Sequence, residues 1–223
     1  MNRLDYSIAR PAADALQVNK VIKNTYMLLS ATLFFSALMA AASVVISMPP
    51  MTYLLSIGGA MLLIWFVLPR TANSASGLAV VFGITGLMGF GLGPLLEAYL
   101  ALPKGPQIVG TAFGGTGVIF LGLSGYALTT RKDFSFMGGF LFAGMLVVLI
   151  GALANIFLQM PAFSLAISAV VIMLMSGFIL YDTSRMIHDR ESNYVMMTVS
   201  LYLNIFNIFV SLLQILGMTS GDD

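Results

Sequence analysis

The chain has 223 residues, of which 59% are hydrophobic and only 9% charged, giving a mean hydropathy of +0.96. Ordinary soluble proteins carry about 25% charged residues, so this composition belongs to the bilayer, and a net charge of +1 provides no clustered basic surface for nucleic acid. The absence of cysteine excludes disulfides, thiolate catalysis and cysteine-ligated metals, and a single histidine without a dense carboxylate cluster argues against a transition-metal centre or any bound cofactor.

Residues 1–25 are mostly polar with few aromatics and read as an unstructured N-terminal tail. Seven runs without Asp, Glu, Lys or Arg follow, at 26–46, 51–68, 77–96, 108–128, 136–158, 162–181 and 195–217. Each is 18 to 23 residues long, enough to cross a hydrocarbon core of roughly 30 Å as a helix. The first exceeds the about 7–15 residues of a signal-peptide core and reads as a retained anchor. Threading the chain with its N-terminus inside places Arg3, Arg10, Lys20, Lys23, Arg70, Arg131, Lys132, Arg185 and Arg190 on the cytoplasmic face and leaves Lys104 alone outside. That asymmetry supports both the count and the orientation. The expected organisation is therefore a cytoplasmic tail (1–25), an all-α seven-helix membrane domain (26–217) and a short external tail (218–223). The external connections are short. A cytoplasmic partner would dock on the tail or on the loop 182–194.

Predicted helices three to five are rich in glycine. Gly83, Gly86 and Gly89 step by three, and Gly89/Gly93 and Gly110/Gly114 by four, which lines one face with small residues and lets helices approach closely. Gly114, Gly115 and Gly117 lack the Lys and Ser/Thr of a phosphate loop. Pro94, after Gly93, is expected to kink the third helix near its outer end, where Glu97 is an interfacial carboxylate.

The seventh predicted helix carries Ser200, Asn204, Asn207, Ser211 and Gln214 at steps of four, three, four and three. Such a polar stripe turns inward, because lipid cannot satisfy it. It serves either as hydrogen-bonding glue between helices or as the wall of a hydrated pathway. Asn155 and Gln159 on the fifth helix are candidate partners. Asp182, at the expected end of the sixth helix, has two readings: a local ion pair with Arg185, or an inward reach toward Asn204 as a proton-sensitive gate. Gly122-Leu123-Ser124-Gly125 matches the GxSG of rhomboid intramembrane serine proteases, with His188 as the only available base. Without an orienting group or an oxyanion donor, that motif is weak.

Three stretches carry a family resemblance: Thr129-Thr130-Arg131-Lys132-Asp133-Phe134-Ser135-Phe136, Leu180-Tyr181-Asp182-Thr183, and Ser200-Leu201-Tyr202-Leu203-Asn204-Ile205-Phe206-Asn207-Ile208-Phe209. Together they resemble the Bax inhibitor family, and most nearly its proteobacterial branch. The resemblance implies six helices around a central seventh in the bacterial inner membrane. It also implies a non-enzymatic function, with the membrane-anchored AAA protease FtsH and its associated membrane regulators as partners. On that reading the tail offers the protease a handle. Some family members conduct calcium through a pH-sensitive leak built on two aspartates and a latching arginine. Asp182 matches the first aspartate, Asn204 stands where the second would be, and Arg70 occupies the latch position. Replacing the second aspartate by asparagine removes the like-charge repulsion of a coupled pair. The resemblance therefore favours protease modulation, with a calcium or proton leak as the alternative.

Overall fold

In hydrocarbon a helix satisfies every backbone N–H and C=O within its own segment, and the apolar runs fold accordingly. A computed structural model describes residues 3–189 and 192–219, with side chains described from residue 16 onward. The helices are α1 (Arg3–Val45), α2 (Met51–Thr71), α3 (Ser76–Leu100), α4 (Gly105–Thr130), α5 (Ser135–Leu158), α6 (Pro161–His188) and α7 (Tyr194–Thr219). Each contains a stretch long and apolar enough to cross a membrane, and no strand occurs among the described residues.

Local chemistry sets the breaks. Pro69 cannot donate, and its ring crowds the carbonyl four residues back; just ahead of it α2 widens into a π turn over Leu63–Val67. Arg131 and Gln159 close α4 and α5 in the left-handed conformation, each donating its N–H to the carbonyl four residues earlier. Pro106 and Pro161 sit in the first turns of α4 and α6, where no intrahelical donor is needed. Asn193 caps α7 by accepting the N–H groups of Val195 and Met196 at 2.8 and 3.3 Å. Its amide also donates to Ala72 O and Asn73 Oδ1, which ties the start of α7 to the α2–α3 turn.

α7 is the centre of the bundle. It packs against α1, α3, α4 and α6, whereas α2 leans chiefly on α3 and α5 chiefly on α6. Half of the most apolar stretch of α3 is buried, against 6% of that of α5, so α5 is the peripheral helix.

Three features differ from the sequence-based expectation. The described part of the N-terminal tail is helical and continuous with the first span. Ala12, Ala13, Ala15, Leu16 and Gln17 are strong helix formers, and extending an existing helix needs no new nucleus. α6 does not stop at Tyr181 but continues to His188, because Thr183, Ser184 and Met186 find buried positions that reward the extra turns. The glycines also divide into two classes. On α3 a methyl group at Gly89 would lie 2.3 Å from Ser36 O, and one at Gly93 would lie 2.0 Å from Ser43 Oγ, so these are close contacts with α1. Gly110 and Gly114 on α4 have nothing within 4 Å, since that face turns away from α3, α6 and α7.

Candidate functional site

Successive residues of an α-helix point about 100° apart, so three adjacent polar side chains address three different neighbours. α6 uses this at Asp182, Thr183 and Ser184, which are 3%, 0% and 1% exposed. Asp182 faces α7, where Ser200 Oγ and Asn204 Nδ2 both donate to Oδ2 at 2.6 and 2.9 Å. Ser200 and Asn204 are four apart, one turn of the same face, and grip one carboxylate oxygen from above and below. Thr183 faces α1 and α4, where its Oγ1 lies 3.5 Å from Tyr26 OH and 3.4 Å from Ser124 Oγ, and these two hydroxyls bond each other. Ser184 faces the α4–α5 connection, accepting the Phe134 N–H at 2.9 Å and donating to Lys132 O at 3.3 Å.

The residues therefore join the polar stripe of α7 to α1, α4 and the α4–α5 connection through a short node in α6. Neutral donors alone hold Asp182 at these distances. The amide of Asn204 donates a hydrogen bond that an ionised aspartate there could not supply, so carboxylate and amide meet without a shared proton. A hydrogen bond of this kind contributes about 0.5–1.5 kcal/mol, and losing the partner of a buried acceptor costs about 1–3 kcal/mol.

The rest of the stripe does structural work along α7. Gln214 Oε1 accepts the Ser168 hydroxyl of α6 at 2.7 Å. Ser211 is buried, and Asn207 donates to Leu203 O of its own helix at 2.8 Å. One further polar cluster was not legible from spacing. Tyr202 OH bonds Ser36 Oγ of α1 at 2.6 Å and donates to Thr85 O of α3 at 3.3 Å, which pins both helices to α7. The run Tyr202, Phe206, Phe209 looked apolar, and only the hydroxyl end carries the signal.

Several expected pairings are not formed. Arg185 pairs with Asp189 at 3.4 Å and lies over the Tyr181 ring, each one turn away on α6, rather than bridging to Asp182, whose carboxylate is turned to Ser200 and Asn204. Arg70 is exposed and folds back onto Phe66 O of its own helix, so the residue at the latch position does not reach the carboxylate. Asn155 bonds Ser164 Oγ and Met160 N, which stabilises the α5–α6 turn, and exposed Gln159 forms the left-handed end of α5. Neither approaches the stripe, since α5 packs on the far side of α6. Ser124 is bonded to Tyr26 and Thr183, whereas His188 Nδ1 bonds Ser184 O at 3.0 Å, so the two do not form a nucleophile–base pair. Glu97 is half-buried at the outer end of α3. Among the described residues no three His, Asp or Glu side chains gather closely enough to hold a metal ion.

Comparison with known proteins assigns the arrangement to a family. Residues 18–221 match the profile described as Inhibitor of apoptosis-promoting Bax1. The chain is 51% identical over 207 residues to the Modulator of FtsH protease YccA of Escherichia coli K12, covering 93% of this chain and 94% of the relative. It is 50% identical over 208 residues to a membrane protein of Vibrio cholerae, covering 93% of each. It is also 45% identical over 224 residues to a Pseudomonas aeruginosa protein, covering 100% of both. A relative of the same 51% identity in a second Escherichia coli strain is named an inner membrane protein. With its seven apolar helices, the chain belongs to the Bax inhibitor family and is a multi-pass protein of the bacterial inner membrane.

Proposed function

We propose that this protein is a non-enzymatic modulator that binds and restrains the membrane-anchored AAA protease FtsH, with its basic face in the cytoplasm. The observation that carries the reading is 51% identity across 93% of the chain to a protein named as a modulator of that protease. The interior is consistent with it. Polar groups of α7 form hydrogen bonds to α1, α3 and α6, and Ser124 of α4 bonds Tyr26 and Thr183 rather than a base. On this reading the helical extension of α1 before residue 16 is what a cytoplasmic pulling machine would engage. A helical handle has to be unwound before it is threaded, which suits a slowly processed competitor.

The test is saturable co-purification with a tagged FtsH-type protease in nanodiscs, using the full chain and a deletion of residues 2–19. Saturable binding by the full chain supports the reading, and its absence removes it. Equal binding by the deletion discards the handle alone.

The seating of Asp182 against Ser200 and Asn204 favours a second reading, a cation or proton leak along the α7 stripe. It requires Asp182→Asn to alter flux in liposomes and Asn204→Asp to increase its pH sensitivity. Equal flux in these two variants and the wild type excludes it.

A further inference from the structure

Outside the α7 stripe lies a polar cleft that the proposed modulation does not use. It has a volume of about 370 Å³ and is lined by Asp133, Ser135, Tyr181, Ser184, Arg185, His188 and Asp189. That is within the size range of small-molecule sites. Its position is informative. Ser135 is the first residue of the α5 helix and His188 the last of the α6 helix, so the cleft lies at the shared end of two helices long and apolar enough to cross a membrane, next to the charged residues that follow the apolar run of α6. Beside it Phe136 and Phe140, one turn apart on α5, are 79% and 72% exposed and present an apolar track running into the bilayer.

The charges of the cleft are of both signs and fall in two groups, Asp133 with Ser135 and His188, and Arg185 with Tyr181 and Asp189. On one side stand Asp133, fixed by the Ser135 N–H at 2.9 Å, and the His188 imidazole. His188 Nδ1 lies 3.0 Å from a carbonyl oxygen, Ser184 O, and donates to it. On the other side stand the Arg185 guanidinium, held over the Tyr181 ring and against Asp189, and the Tyr181 hydroxyl. A guanidinium has five N–H donors and the Asp189 contact uses one of them. A purely anionic guest would meet Asp133, and a purely cationic one would meet Arg185. A guest with a primary ammonium and a phosphate satisfies both sides: N–H donors to Asp133, phosphate oxygens to Arg185 and Tyr181.

We propose that this cleft binds the headgroup of a phosphatidylethanolamine-type lipid, with an acyl chain lying along Phe136 and Phe140. Position at the helix ends, charge of both signs and the adjoining apolar track together favour a lipid over a soluble zwitterion or a peptide side chain. Choline lipids have no ammonium N–H to donate, and glycerol lipids have no cation, so the cleft discriminates between headgroups of equal chain length.

The experiment is native mass spectrometry of the delipidated full-length protein titrated with dioleoyl phosphatidylethanolamine, phosphatidylcholine or phosphatidylglycerol. The expected result is one retained ethanolamine lipid with an affinity about tenfold above the other two, from one or two charge-assisted hydrogen bonds. Asp133→Asn should reduce it to the choline level, and Arg185→Gln should weaken retention of all three lipids together, while circular dichroism confirms an unchanged helical fold. Equal retention of the three lipids by the wild type, or an ethanolamine preference that survives Asp133→Asn, overturns the proposal. A parallel arm offers a lysine-rich peptide to the protein in phosphatidylcholine nanodiscs. Binding that is lost in Asp133→Asn, without any ethanolamine preference, would assign the cleft to a polypeptide cation and equally overturn it.

Discussion

Gly89→Ala and Gly114→Ala are the same substitution on neighbouring helices, and the structure predicts opposite outcomes. A Cβ at Gly89 would stand 2.3 Å from Ser36 O and 2.5 Å from Ser36 Oγ. That is about 1 Å inside ordinary van der Waals contact, and the first of these atoms is backbone. It cannot swing aside, so α1 must move outward. Movement there also stretches the Ser36–Tyr202 hydrogen bond at 2.6 Å that holds α1 to α7. Overpacking of this kind costs about 1–3 kcal/mol, and the rigid neighbour places Gly89→Ala at the upper end. Alanine returns up to about 1 kcal/mol in helix propensity, which leaves a net loss of about 2 kcal/mol. At Gly114 nothing lies within 4 Å, so only the propensity gain of up to about 1 kcal/mol remains. Circular dichroism during titration from mild detergent into rising mole fractions of dodecyl sulfate reads both. Equal unfolding midpoints for the two variants, or a larger loss at Gly114, would refute the close approach of α1 and α3.

Other perturbations follow from the same contacts. Asn204→Leu leaves Asp182 with the Ser200 hydroxyl as its one short donor and should destabilise the bundle by about 1–3 kcal/mol in that titration; an unchanged midpoint would remove the node from the account. Asn193→Ala deletes the α7 cap and the bridge to Ala72 and Asn73, a loss of about 1–2 kcal/mol that should appear as faster amide exchange at Val195 and Met196. Asp133 is held below the ordinary carboxylate range, first by the backbone N–H of Ser135 and then by its hydroxyl. A depressed folded value means that its contribution is complete above the unfolded value of about 3.9 and fades as pH falls through the folded one. A carbon-13 titration of the Asp133 carboxyl should therefore have its midpoint below that of a free aspartate, and a midpoint at or above it would contradict the Ser135 contact.

Most of the architecture could be read from the sequence because charge is nearly forbidden in hydrocarbon. Seven uncharged runs became seven helices, and the period of Ser200, Asn204, Ser211 and Gln214 required an inward face, which put α7 at the centre. What the sequence conceals is the identity of partners across helices. Asp182 and Arg185 look like a local pair at three-residue spacing, yet the carboxylate turns to α7 and the guanidinium to Asp189. Asn155 and Gln159 have the right chemistry and the right spacing for the stripe, but α5 lies behind α6 and their partners are at the turn. Periodicity gives the direction in which a side chain faces, and packing order decides what it meets. The glycines of α3 and α4 have similar spacing and opposite surroundings for the same reason. Thr183 and Ser184 escaped notice because each is an ordinary small polar residue. Their role depends on the 100° turn between neighbours and on three different elements standing around α6.

The central claim is restraint of a membrane-anchored protease, and the most direct measurement is the rate at which a purified FtsH-type protease degrades a membrane substrate in liposomes with and without this protein. The account predicts a concentration-dependent slowing that reaches a plateau as the modulator saturates the protease. An unchanged degradation rate at saturating protein would contradict it.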